Sequence, residues 1–169
     1  VTPTTTSCGI GIASDTTNIN SINLEAGSYV YYGSNGNKYN GGSGSAYGAT
    51  YTNGDIIGIA LDLDAGTLVF YKNNTSQGTA FTGLSGTFTA LIYDGTSASA
   101  PTFTANFGQR PFAYAPPSGF KALNTFNLPE PTIKQPNQYF DALLYTGNGS
   151  SSQRTDISWT NMQPDMVWI

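Results

Sequence analysis

The chain has 169 residues, and its 10 acidic and 6 basic side chains give a formal charge of -4 with no histidine at all. Six Lys and Arg are too few to neutralise a phosphate backbone, which excludes nucleic-acid binding. The missing imidazole removes serine–histidine triads and the common histidine zinc sites, and no run of about 18 apolar residues offers a membrane insertion. Charged residues are only 9% of the chain, against about 25% in an ordinary soluble domain. Small neutral groups, 22 Thr, 20 Gly, 16 Ser and 15 Asn, carry the polarity, and 13% aromatics supply a core.

Short alternating runs bounded by Gly, Asn, Asp and Ser recur along the chain and helical periodicity does not, so the expected fold class is all-β. Gly9-Ile-Gly-Ile-Ala13 is strand-like. From Gly33 to Gly48 there is no apolar periodicity and many turn formers, which predicts a long exposed loop or wide hairpin tip. The clearest unit is Gly54 to Tyr71: Ile57, Ile59, Leu61 and Leu63 fall on one face, Asp64-Ala65-Gly66-Thr67 turns, and Leu68 and Phe70 resume. A second turn is expected at Lys72-Asn73-Asn74-Thr75, leading into Thr79-Ala80-Phe81. Phe88, Ala90 and Ile92 alternate with Thr89, Leu91 and Tyr93, and Phe103, Ala105 and Phe107 with Thr102, Thr104 and Asn106. Together these strands predict two stacked antiparallel sheets.

Six of the nine prolines lie between Pro111 and Pro136, which predicts an extended Pro-rich strap and a boundary near residue 128. The expected organisation is a sandwich over residues 1–127, then a linker and the truncated start of a second β-rich module over 128–169, with strands at Tyr139–Tyr145 and around Ile157 and Trp159. The chain opens on Val1 and ends in the apolar run Met166-Val-Trp-Ile169, so it is expected to be a fragment of a longer polypeptide.

The run Gly54-Asp-Ile-Ile-Gly-Ile-Ala-Leu-Asp-Leu-Asp-Ala-Gly-Thr-Leu-Val-Phe-Tyr-Lys-Asn73, with Gln77-Gly-Thr-Ala-Phe-Thr82 and Asn106-Phe-Gly-Gln-Arg-Pro-Phe112, resembles the SPRY domain family. The version it looks most like is the one found in bacteriophage structural proteins, and the segment from Leu128 is similar to the module that follows it there. The resemblance implies a bent, concanavalin-like β-sandwich that binds partners through loops at one end. It also implies an initial strand with a Trp-Tyr-Phe-Glu type pattern, which this chain lacks.

Catalysis is not expected. Asp62-Leu-Asp-Ala-Gly66 has the opening of a calcium loop but no closing glutamate, so a hairpin turn is preferred and no metal or cofactor is expected. The only glutamates, Glu25 and Glu130, sit on different segments and make a poor pair for glycoside hydrolysis. Cys8 has no imidazole to activate it, and a small buried thiol is the simpler role. Arg110 is expected to make a structural ion pair or carbonyl contact.

Tyrosines beside amides in a turn-rich segment are a recurrent recipe for recognition. The candidate ligand-binding residues are therefore Tyr32, Asn35, Asn37, Lys38, Tyr39, Tyr47, Tyr51 and Asp94, though the tyrosines would equally serve to pack beneath the loop. Following the resemblance, the expected function is a non-enzymatic binding and structural module of a phage virion protein, in a tail fibre, baseplate or capsid-surface appendage. Its expected location is the virion or the extracellular space. Expected partners are other virion proteins, copies of itself in a homo-oligomer, and a host cell-surface glycan or protein. The alternative is a subunit of an extracellular or cell-surface filament completed by strand addition.

Overall fold

The computed structural model describes residues 1–3, 7–17, 25–95, 102–129 and 149. Ten strands follow in chain order: β1 (Thr2–Pro3), β2 (Cys8–Ser14), β3 (Ser28–Tyr32), β4 (Asn37–Asn40), β5 (Ser43–Ala46), β6 (Ile57–Asp62), β7 (Thr67–Lys72), β8 (Thr75–Phe81), β9 (Phe88–Asp94) and β10 (Phe103–Thr104). All pairings are antiparallel and give a five-stranded sheet in the order β5-β4-β3-β2-β9, a three-stranded sheet β6-β7-β8, and a small β1-β10 pair. The only helical element among the described residues is a single 3-10 turn, Thr125–Asn127. The fold is thus the expected all-β sandwich.

The two larger sheets face each other across the core. Cys8, Ile10 and Ile12 of β2 and Tyr31 of β3 meet Ile57 of β6, Leu68 and Phe70 of β7 and Ala80 of β8, with Tyr51 and Leu84 from the connections. Aromatic contacts cross the gap: Tyr31 lies 5.4 Å from Phe70, and Tyr29 packs edge-on against Phe81 at 5.1 Å. Such pairs add to the burial that drives the sheets together.

β6 and β7 pair in the register the alternation predicts, Ile57 opposite Lys72 and Leu61 opposite Leu68. Ile57 is buried, and Ile59 and Leu61 pack against the core. Leu63 departs from the expectation: it lies in the turn and is 45% exposed. That turn is held by Asp62, whose Oδ1 accepts from the Ala65 amide at 2.9 Å, so the carboxylate of the would-be calcium loop serves the hairpin. At the next turn Asn73 and Asn74 both take positive φ, 47° and 69°, the conformation of a type I′ hairpin.

Asn73 also anchors a loop in front of it. Its amide bonds the Asp55 carboxylate at 2.6 Å, and Lys72 Nζ approaches that carboxylate at 3.3 Å and donates to the Thr50 carbonyl at 2.7 Å. Burial alone would push the Asp55 carboxyl up, but the Thr52 amide, Asn73 and Lys72 outweigh it and hold the group below its ordinary value of 3.8. A depressed folded-state value contributes stability in full above 3.8 and loses it as the pH falls through the lower folded value. Asp55→Asn is therefore expected to flatten the acid limb of a Tm-against-pH curve between about pH 5 and about pH 2. Parallel acid limbs for the two proteins would remove Asp55 from this role.

Three expectations are corrected. Of the long loop or wide hairpin tip expected over residues 33–48, the loop is corrected: β4 and β5 form a hairpin that extends the five-stranded sheet to its edge, Asn37 opposite Ala46 and Asn40 opposite Ser43. Second, the alternation from Thr102 to Phe107 gives only the two-residue β10, because side chains of the segment take over its backbone groups. Asn106 Oδ1 accepts from Gly108 at 3.0 Å, and Gln109 accepts from Phe107 at 2.6 Å and donates to Ala105 at 2.9 Å. Third, the Arg110 side chain makes no ion pair among the described residues; it is the residue's main chain that is held, its carbonyl accepting from Asn106 at 3.1 Å. The chain divides into units Val1–Asn127 and Leu128–Ile169, and the strands expected at 139–145 and near Ile157 and Trp159 lie outside the described residues.

Candidate functional site

The expected binding residues separate into two groups with opposite roles. Lys38, Tyr47 and Tyr51 point inward. Two bulges in β8 leave Gln77, Gly78 and Ala80 without a register partner on β7, and the region around β4 and β5 takes up what they expose. Tyr47 donates its hydroxyl to the Gly78 carbonyl at 2.6 Å, Gln77 Oε1 accepts from the Ala49 amide at 2.9 Å, and Lys38 Nζ donates to the Ala80 carbonyl. The Lys38 ammonium also sits 5.3 Å from the Phe81 ring centre and 5.8 Å from that of Tyr47. Tyr47 stands edge-on to Tyr31 at 5.3 Å and accepts from the Phe70 amide at 3.2 Å.

Tyr51 is 1% exposed. Its hydroxyl lies 3.0 Å from the Cys8 carbonyl and 2.8 Å from that of Tyr31, tying the loop to β2 and β3. Burial pushes its phenol well up and pushes that of Tyr31 to about 12, so both stay neutral donors. Lys38 and Tyr47 thus reach across to the three-stranded sheet, and Tyr51 fastens its loop to the five-stranded one, so the polar atoms of all three are engaged within the fold. Cys8, wholly buried, has its thiol pushed up mainly by burial, which leaves it protonated and inert.

Tyr32, Asn35 and Tyr39 lie elsewhere. In the ladder Tyr32 is opposite Gly9, Gly9 is opposite Tyr93, and Tyr39 is opposite Val30, so these side chains share the outer face of the five-stranded sheet. The Tyr32 ring stands edge-on to Tyr39 at 5.7 Å and tilted against Tyr93 at 6.2 Å. Gly9 makes this closure possible: a Cβ there would overlap Val30 and come within 3.4 Å of both Tyr32 and Tyr93. All three tyrosines are half-buried.

Asn35 fixes the approach to this patch, donating from Nδ2 to the Tyr39 hydroxyl at 2.8 Å and accepting from the Asn37 amide at 2.9 Å. Asn37 enters through its main chain. Asp94 ends β9 opposite Cys8, close enough that its charge acts on Tyr32. Burial first, then Tyr93, Cys8, Tyr39 and Asp94, push the Tyr32 phenol up, so it too remains neutral. Tyr93 was not among the expected residues. Its signal was the 89-91-93 alternation, which sets it on the same face as Tyr32 only once β9 is known to pair with β2. The patch holds neutral phenols, amides and one carboxylate. That chemistry suits contact through aromatic area and hydrogen bonds.

The SPRY domain profile matches residues 1–110. This chain belongs to the SPRY domain family. Relatives of this SPRY domain include Ran-binding protein 10 of Danio rerio and Ran-binding protein 9 of Homo sapiens. Both are 35% identical over 108 residues, which are 63% of this chain and 18% and 14% of those proteins. A Ran-binding proteins 9/10 homolog of Drosophila melanogaster is 32% identical over the same length, 11% of that protein. The chain thus spans less than a fifth of the length of these relatives. Among solved structures, the SPRY domain of human HERC1 is similar at 20% identity and TM-score 0.46, covering 57% of this chain and 73% of that one.

These relatives overturn the phage reading. They are animal proteins named for Ran binding, so the assignments to a virion protein, a tail fibre, a baseplate or capsid appendage, and an extracellular filament all fall, as does the virion or extracellular location. The physical reason lies in the residues that carried the resemblance. Asp62, Gly66, Phe70, Asn73 and Asn106 hold turns and core, which any sandwich of this family needs whatever its host. SPRY domains mediate protein–protein binding, and the partner class is accordingly protein.

Proposed function

We propose that this SPRY domain is a protein-binding module whose contact surface is the outer-face patch of Tyr32, Tyr39 and Tyr93, with Asn35 at its approach and Asp94 at its end. The observation that carries the reading is that these rings cluster at 5.7 and 6.2 Å on the face turned away from the core. Large aromatic side chains with polar tips are the residues in which binding energy concentrates at interfaces. The Asp55 and Asp62 carboxylates are engaged at turns and the Cys8 thiol lies in the core, which supports binding without catalysis.

Ran, the partner in the relatives' names, is the first defined probe, and displayed random peptides selected on the folded chain are the second. Tyr39→Ala is expected to weaken the ligands so obtained by about 30-fold, the effect of a hot-spot residue worth about 2 kcal/mol, with little loss of thermal stability. Titration calorimetry checks the first and a melting curve the second. Ligands that bind Tyr39→Ala as tightly as the unaltered chain would place the contact surface elsewhere.

A further inference from the structure

The sequence contains four Asn-Gly pairs, Asn35-Gly36, Asn40-Gly41, Asn53-Gly54 and Asn148-Gly149, and Asn148 lies outside the described residues. Such pairs are chemically labile because an unhindered Gly nitrogen can reach the preceding side-chain amide. In two of the three described pairs both reacting groups are engaged. Asn35 donates to Tyr39 at 2.8 Å and accepts from Asn37, while the Gly36 amide donates to the Tyr32 carbonyl at 3.0 Å. Asn40 donates to the Ser28 carbonyl at 3.1 Å, and the Gly41 amide donates to Glu25 at 3.3 Å.

Asn53 and Gly54 differ. Both are exposed, and neither the Asn53 amide nor the Gly54 nitrogen has a hydrogen-bond partner among the described residues. They are the two central residues of a turn closed by the Asp55 amide on the Thr52 carbonyl at 3.1 Å, a bond that passes over Gly54. Gly54 takes φ +88°, and nothing lies within 4 Å of the position a Cβ would occupy.

We infer that Asn53 is a site of spontaneous covalent modification, the described position at which this folded chain converts an amide into a carboxylate. Hydroxide removes the Gly54 amide proton, and the nitrogen forms a bond to Asn53 Cγ. The Cγ–Nδ2 bond breaks and the side-chain nitrogen leaves as ammonia, giving a succinimide. Water opens that ring at either carbonyl to aspartate or isoaspartate. One water is consumed and one ammonia released, and no oxidant or reductant takes part. The new charge arises two residues from Asp55, beside its contacts with Lys72 and Asn73.

The full chain is held in mildly alkaline buffer, and its peptides are mapped by mass for the replacement of NH by O and for the succinimide. Conversion at Asn53 is expected to run about tenfold or more ahead of Asn35 and Asn40, where hydrogen bonds must first be given up. In denaturant that preference is expected to disappear. Ion exchange should resolve a more negative species that Asn53→Gln fails to form. Equal rates at the three positions in the folded chain would overturn the inference. So would an Asn53 that stays intact while the unfolded chain converts.

Discussion

Phe70→Ala is expected to destabilise the sandwich by about 3–5 kcal/mol, the range for emptying a buried aromatic site. Phe70 is wholly buried on the central strand of the three-stranded sheet, opposite Ile59, and its ring faces Tyr31 at 5.4 Å and Tyr47 at 6.1 Å. Those neighbours cannot collapse into the space, because Tyr31 donates to the Ala49 carbonyl and Tyr47 to that of Gly78. The cavity stays open and the loss falls toward the upper end of the range. Urea unfolding followed by tyrosine fluorescence measures it, with Phe70→Leu expected to lose far less. A loss below about 1 kcal/mol for the alanine variant would mean that Phe70 does not join the two sheets.

Gly11→Ala is expected to be as damaging, although it adds a single methyl group. Gly11 lies on β2 between Val30 and Leu91. A Cβ there would overlap the Tyr29 carbonyl oxygen and approach the Val30 Cα to 2.9 Å. Both are backbone of the adjacent strand, so no side chain can swing aside, and relief requires β2 and β3 to part. The cost exceeds ordinary overpacking and is placed at about 3 kcal/mol or more. Gly42→Ala in the β4–β5 turn, where nothing lies within 4 Å, separates this steric effect from backbone strain, since Gly42 has φ +77°. A Gly11→Ala protein no less stable than Gly42→Ala would refute the close approach.

Legibility in the sequence followed how local each determinant is. The β6–β7–β8 unit could be read because its signals are close neighbours: alternation through Ile57, Ile59 and Leu61, then Asp62 at a turn its side chain holds and Asn73-Asn74 at a turn that needs positive φ. Leu63 broke the pattern because the turn begins there. The strand expected through Phe107 failed because Asn106 and Gln109 capture backbone groups within five residues, a competition that alternation does not register. Among the candidate residues the sequence could not separate Tyr32 and Tyr39, whose rings meet on the outer face, from Lys38, Tyr47 and Tyr51, which turn inward. Lys38 and Tyr47 turn inward to carbonyls of β8, some forty residues from Lys38 along the chain, freed by bulges with no sequence signature of their own, and Tyr51 turns inward to carbonyls of β2 and β3. Tyr93 was hidden for a related reason, since its neighbours come from β2 and β3.

The Lys38 tether has a consequence for recognition kinetics. The hairpin that carries Tyr39 outward is fastened on its other side to the Ala80 carbonyl, so the proposed contact patch is preorganised and a ligand bound there need not freeze a floppy segment before it gains contacts. Association should then follow a single concentration-dependent phase without a slow rearrangement step. Lys38→Met, which keeps much of the stem but loses the ammonium, should slow complex formation while leaving every group on the outer surface in place.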